Sequence, residues 1–364
     1  MTNYFAPAFQ VQVNGSHLQA DISMNIETIS VTTMPDSLDT FTFTITNAMP
    51  QMRWTHTSDA DLFREGNSVS IAMGYVDDLQ DMIEGEITSI SPTFPADGTP
   101  TVTINGNTRL HRLRGSNTTR TFQHVTDAQV VQQIAQANSL EAQADDTQIH
   151  YDYLVQPNQS DLDFLKERAQ RIHYELLVQG KKLIFRKAQE GQAKVYTLVW
   201  AGVQQAFASG SSTLPLKSFA PDLNALASKS SVQYRGYDVT SKKAFVSNAT
   251  PSDQTTSMGG SQSGSDLPQK AFGTARNEVR VNMPFFSQAE GDQRAKATLN
   301  QKAMQLIKGT AETIGLPQLR SGQVVELAGV GTRFEGCYLI EQSTHTIDSN
   351  GYSTSLNLQR NALS

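Results

Sequence analysis

The chain has 364 residues, 38% of them hydrophobic and 18% charged, with 24 glycines, one cysteine (Cys337) and a formal net charge of −6. Such a length suggests two to three domains with cores large enough to need no staples, and the composition excludes wholesale disorder, collagen-like repeats and coiled coils. The acidic balance argues against a dedicated nucleic-acid binder, and a lone cysteine cannot form an internal disulfide.

Residues 1–115 read as strands. Phe9, Val11 and Val13 alternate with Gln10 and Gln12, and Asn14-Gly15 follows as a tight turn. Phe41, Phe43 and Ile45 alternate with Thr40, Thr42, Thr44 and Thr46. Val69, Ile71 and Met73 repeat the pattern, as do Val102 and Ile104 before Asn105-Gly106. The period predicts a first antiparallel β-barrel domain.

Residues 116–210 change period. Thr126 and Gln129 form a capping box ahead of Val130, Val131, Ile134 and Ala135. Ser160 and Asp163 make an acidic version of it before Leu162, Leu165, Ala169 and Ile172, and Gly180 breaks the run. Leu183–Phe185 and Val195–Trp200 read as strands, which gives a small α+β domain.

Residues 211–364 return to strands as a second β-barrel domain. One helix is predicted over 288–308, capped by Ser287 and Glu290 and ended by Lys308-Gly309, a cation followed by a left-handed glycine. Asn350-Gly351 turns a last hairpin. Residues 248–266 hold one large apolar side chain, Met258, too little to offset their ordering entropy, and are predicted to be a mobile loop.

An internal echo links the two outer regions. Gly66-Asn67-Ser68-Val69-Ser70-Ile71 is answered by Gly322-Gln323-Val324-Val325-Glu326-Leu327. Ile83-Glu84-Gly85-Glu86-Ile87 is answered by Phe334-Glu335-Gly336-Cys337-Tyr338. Gly85 and Gly336 are expected where a barrel strand bends, and the echo predicts a duplicated barrel flanking the α+β unit.

Chemistry is sparse. The seven histidines form no HxH or HExxH pair, and no nucleophile elbow or phosphate loop occurs, so neither metal nor cofactor is expected. Asp161 and Asp163 diverge on a helix and suit its first turn better than acid/base work. Arg109, Arg112, Arg114 and Arg120, with His111, read as arginines paired with acids rather than as a phosphate strip. No apolar run approaches 18 residues and no secretion signal opens the chain, so membrane insertion is not expected. The protein is expected to be made in the bacterial cytoplasm and either kept there or carried out inside something larger.

Gln156-Pro157-Asn158-Gln159-Ser160-Asp161-Leu162-Asp163-Phe164-Leu165, followed by Ala169 and Gly180-Lys181-Lys182-Leu183-Ile184-Phe185, resembles the signature of the phage late control protein D family. These are baseplate hub proteins of contractile tails, and the hub half of type VI secretion spike proteins is similar. Pro317–Gly322, Phe334–Tyr338, His345 and Gly351-Tyr352 extend the resemblance, as do Gly15 and residues 66–75; many members carry Glu where Gln159 stands. It marks Gln156, Asn158, Ser160, Asp161, Phe164, Leu165, Gly85, Gly322, Gly336, His345, Gly351 and Tyr352 as a structural signature.

The resemblance implies a non-catalytic homotrimeric ring of six similar barrels, an adapter between a sixfold inner tube and a threefold central spike. Its implied partners are its own copies, the tube protein, the spike protein and other baseplate proteins, without nucleic-acid specificity, within a virion or injection particle. Spike and cell-wall hydrolase are expected on separate chains. The rival readings are a tail-associated peptidoglycan hydrolase and a glycan-binding module.

Overall fold

The computed structural model describes residues 6–47, 61–200, 213–238, 242–281, 285 and 287–364. The first region contributes strands β1 (Pro7–Val13), β2 (Ser16–His17), β3 (Ile26–Thr33), β4 (Thr40–Thr46), β5 (Ser68–Tyr75), β6 (Asp78–Thr93) and β7 (Thr101–Thr108). They lie in the order β2-β1-β5-β6-β7-β4-β3. The alternation decides their faces: Val11, Val13, Ile29, Val31, Phe41, Phe43 and Ile45 all point into one core. Asn105 and Gly106 continue inside β7, where a Cβ on Gly106 would fall 2.1 Å from the Phe41 ring.

The middle region holds β8 (Thr118–Val125), a helix (Asp127–Ala137), β9 (Glu141–Ala144), β10 (Tyr151–Gln159), a second helix (Asp161–Ile172), β11 (Tyr174–Gln179) and β12 (Lys182–Lys187). Both bonds of the Thr126–Gln129 capping box are present, and Ser160 caps the second helix. β11 is absent from the sequence reading. The helix stops at His173, in the left-handed region at φ 60°, and Gly180 at φ 56° turns the β11–β12 hairpin.

The last region contains β13 (Lys194–Trp200), β14 (Thr213–Leu223), β15 (Ser231–Asp238), β16 (Lys243–Ala249), β17 (Gln262–Ser263), β18 (Asn277–Arg280), a third long helix (Gln288–Ala303), β19 (Ile307–Ile314), β20 (Val324–Ala328), β21 (Gly336–Asp348), β22 (Gly351–Arg360) and β23 (Ala362–Leu363). Strands β20-β13-β14-β19-β22-β21 close on themselves through the β20–β21 ladder into a six-stranded barrel. The fold is therefore mainly β. β13, grouped by its sequence position with the α+β unit, is hydrogen-bonded between β14 and β20 of this barrel.

Two local expectations are corrected. The helix predicted over 288–308 ends at Ala303, and Lys308-Gly309 sit in β19. Gly309 serves a close strand approach, since its Cβ would lie 2.9 Å from the Ala220 carbonyl, whereas the helix ends on right-handed Met304. The segment 248–266 is not a free loop. Met258 is buried among Met304, Val324 and Leu339, β17 pairs with β23, and Asn300 Oδ1 accepts from the Thr255 amide at 2.8 Å. Its glycines permit contact: a Cβ on Gly260 would meet the Leu363 carbonyl at 2.5 Å.

Closure differs between the two halves. The edge strand β3 pairs with β21 of the barrel, fusing both halves into one 13-stranded sheet, and the first half does not close by its own ladders among the described residues. Ile347 and Tyr352, at the tip of the β21–β22 hairpin, enter the first core instead.

The echo is visible in hydrogen bonds. Strands β3-β4-β7-β6-β5 and β14-β19-β22-β21-β20 share both neighbour order and order along the chain. Gly66 and Gly322 have φ of 87° and 79°. The Gly66 amide donates to Ile87 and that of Gly322 to Ile340, both at 2.8 Å; Ile87 and Ile340 donate back to Asn67 and Gln323. A register irregularity follows at Ile87/Ser89 and again at Ile340/Gln342. Matching Ile87 with Ile340 sets Gly85 opposite Tyr338, two residues from the Gly336 with which the sequence echo aligned it.

Candidate functional site

The signature residues fall into three places. The first is a polar knot at the start of the second helix. A register shift between Gln156 and Gln159, with Asn158 at φ 45°, breaks β10 and turns Gln156 inward. Gln156 Oε1 accepts from Arg120 Nε at 2.8 Å, and its Nε2 donates to Asp161 Oδ1 at 3.0 Å. Asp161 also pairs with Arg120 and accepts from Asn138 Nδ2 at 3.0 Å, tying both helices to β8. Asp163 belongs to Ser160, whose Oγ accepts from the Asp163 amide at 3.1 Å. Phe164 stacks on Phe122 at 5.9 Å, and Leu165 is fully buried. Neither aspartate is directed at the other, so the arrangement is a helix start and not an acid/base pair.

The arginine cluster resolves likewise. Arg109 reaches Glu84 at 2.6 Å and Glu86 at 3.4 Å, while Arg112 Nε and His111 Nε2 reach Glu86 at 3.0 and 2.9 Å. Burial works to raise the Glu86 pKa, but bonds from Arg112 and His111 outweigh it and hold the carboxyl below its ordinary value. Arg114 is exposed.

The second place is an interlock between the halves, built on residues 315–323. The Gly315 amide donates to the Tyr352 carbonyl at 2.9 Å, and Tyr75 Oη donates to the Gly315 carbonyl at 2.9 Å. A Cβ on Gly315 would sit 1.9 Å from the Tyr352 ring, whose centroid lies 5.7 Å from that of Tyr75. His345, wholly buried, meets the Leu319 carbonyl through Nε2 at 2.9 Å. A carbonyl only accepts, so Nε2 carries the proton and Nδ1 accepts from Tyr352 Oη at 3.2 Å and Thr354 Oγ1 at 3.1 Å. Desolvation pushes the His345 pKa down to about 4, with the Leu319 carbonyl opposing and Arg320 assisting.

Arg320 completes the clamp. Its Nη1 donates to the Met82 carbonyl at 3.0 Å and its Nη2 to that of Asp81, where β6 bulges. The Ser321 amide donates to Thr33 Oγ1 at 3.2 Å. Thr33 and Gly315 escaped the sequence analysis, where Tyr75 and Arg320 stand only inside the runs 66–75 and Pro317–Gly322 that extend the resemblance; the Gly315-Leu316-Pro317 run ahead of Arg320 was the available signal. Beside the clamp, a cleft of about 900 Å³ is lined by Asp39, Glu84, Gln179, Arg186, Arg320 and Gln323, among others. Burial pushes the Asp39 carboxyl up to about 7, against the Met34 amide and Arg320. Among the described residues no group of three His, Cys, Asp or Glu side chains is placed to hold a metal ion.

The third place is a set of glycines with separate duties. Gly85 would bring a Cβ within 2.4 Å of the Asn107 carbonyl. Gly336, at φ 124°, faces the Arg360 guanidinium, 2.6 Å from its would-be Cβ. Gly351 turns β21 into β22 at φ 109°, and Gly322 sits 3.5 Å by the same measure from Glu175.

One cross-strand row of the large sheet carries no charge. Ser89, Asn105, Thr42, Ser30, Thr346 and Ser353 stand in one row across six strands. Many bond sideways, as Thr42 to Asn105 at 2.9 Å and Thr32 to Thr344 at 3.0 Å.

A family model described as the Alg8 N-terminal domain matches residues 5–349; the description names a domain, not an activity. No curated protein matches the chain. Among solved structures, a tail protein of prophage MuSo2 from Shewanella oneidensis is 12% identical with a TM-score of 0.72, over 99% of this chain and all of that one. A tail protein from Neisseria meningitidis is 13% identical with a TM-score of 0.69, over 98% and 97% of the two chains. An Escherichia coli component of the type VI secretion system is 10% identical with a TM-score of 0.59, over 96% and 76%. At these identities the likeness is one of fold. No helix among the described residues is long and apolar enough to cross a membrane.

Proposed function

The chain belongs to the Alg8 N-terminal domain family and has the fold of phage tail proteins, and from these premises we propose that it is a baseplate hub of the late control protein D type. In this reading it is a structural, non-catalytic part of a contractile tail or injection particle. Three copies form a ring that joins a sixfold inner tube to a threefold central spike, beside other baseplate proteins.

The observation that carries the reading is the full-length likeness to a tail protein. The shared strand order of the two halves adds the reason: three chains with paired halves present six similar units to a sixfold tube. The interlock suits that task, because a hub under load must not hinge between its halves.

The test is reconstitution with the tube and spike proteins of the same particle. Co-migration of all three in gel filtration, with rings capping tubes in electron micrographs, is expected. Failure to associate with either partner at tens of micromolar would contradict the proposal.

A further inference from the structure

Inside one chain the halves meet along a β-ladder, in which β3 runs antiparallel to β21 from Thr33↔Ser343 to Ile347↔Ile29. The repeat places a second copy of each partner elsewhere. Matching Ile87 with Ile340 lays residues 343–346 of β21 over residues 90–93, the end of β6. Following the cross-strand pairs through β7 and β22, then β4 and β19, lays Ile29–Thr33 of β3 over Phe219–Leu223 of β14.

Both counterpart edges are open among the described residues. The β5 ladder covers β6 only as far as Glu86, so Ile90–Thr93 carry no ladder on that side. The β13 ladder covers β14 only from Thr213 to Leu216, so Phe219–Leu223 carry none on theirs.

We propose that these two edges pair between copies, β14 of one chain antiparallel to β6 of the next, in the register Leu223↔Ile90, Ala220↔Thr93. The partner is a second copy of this chain. The inference rests on the ring reading and deepens it by naming the contact. The contact is head-to-tail, so it closes a ring if the rotation allows. It would join the eight-strand runs β6-β7-β4-β3-β21-β22-β19-β14 of successive copies end to end.

Prolines set a limit on the pairing. Pro221 and Pro92 fall opposite each other, as Val31 and His345 do within the chain. The Asn224 amide donates to the carbonyl of Leu306, the residue just ahead of β19, so by alternation Leu223, Pro221 and Phe219 face the open edge. The Pro221–Pro92 pair contributes no donor, and the flanking residues must hold the ladder. Proline on an edge strand also discourages pairing with unrelated strands.

The experiment places cysteines at Thr93 and Ala220 in a chain carrying Cys337→Ser. By the same alternation this pair is not hydrogen-bonded across the interface, which suits a disulfide. Mild oxidation of T93C/A220C should convert most of the chain to a covalent trimer on a non-reducing gel, while either single variant stays uncrosslinked. The register control S91C/A220C displaces the thiols by about 7 Å and should crosslink at least about tenfold more slowly. If T93C/A220C folds badly, S91C/D222C tests the same register. A native trimer that neither double variant crosslinks, or crosslinking by T93C alone, overturns this inference and leaves the ring reading standing. A native monomer overturns both.

Discussion

His345 shows how a residue type associated with catalysis is put to structural use. Its proton points at a carbonyl and its lone pair takes two hydroxyls, which leaves it no capacity for substrate. The unfolded chain protonates this ring near 6.5 and the fold only near 4, so the stability it supports is full above 6.5 and is lost as pH falls towards 4. Asp39 has the opposite sign: its carboxyl is raised to about 7, so it favours the fold below its ordinary value and disfavours it as pH climbs through 7. His345→Gln should cost about 2 to 3 kcal/mol at pH 7. It should also flatten the loss of stability between pH 6.5 and 4 in urea titrations, and identical pH slopes for variant and parent would contradict this. Gly336→Val adds a side chain at φ 124° against the buried Arg360, and strain with overpacking should cost about 3 kcal/mol. An unchanged urea midpoint would show that the guanidinium simply moves aside.

At the scale of elements, alternation and caps were the legible part. The three long helices begin at the Ser or Thr the sequence marks, because an N-cap is a local hydrogen bond that depends on three or four residues. The third helix's end was not legible. Lys308-Gly309 imitates a C-terminus, but β19 is claimed by β14 and β22 through pairs with distant residues. The packing of residues 248–266 was not legible for the same reason: the Thr255 hydroxyl donates to Asn300 Oδ1 and the Thr256 carbonyl accepts from Asn361 Nδ2, partners no local window contains. Asn300→Ala should expose the segment to trypsin-independent proteases such as subtilisin, raising cleavage between residues 253 and 266 severalfold while the parent resists. Equal cleavage of the two would show that Asn300 does not pin it. Tyr352→Ala removes a ring from the first core, although the residue lies near the other end of the chain, and should cost about 3 to 5 kcal/mol. Loss of cooperativity between the halves would appear as two transitions in place of one.

For the whole molecule, the repeat was partly legible. Gly66 and Gly322 stand out because two strand starts need the same left-handed residue, and their hydrogen bonds repeat. Gly85 and Gly336 look equivalent in sequence yet differ in duty: one clears the Asn107 carbonyl, the other clears Arg360. Nothing in a linear pattern announces that β3 leaves its own half to pair with β21, or that Arg320 and Tyr352 lock the halves, since these contacts join residues hundreds of positions apart. They matter most for a protein whose proposed work is to stay rigid between two symmetries. The central claim is a ring of three, and native mass spectrometry of the purified chain reads it directly. With a 39.9 kDa chain, the account predicts one dominant species of three copies near 120 kDa at micromolar concentration. A spectrum that holds only the single chain as the concentration is raised would contradict it.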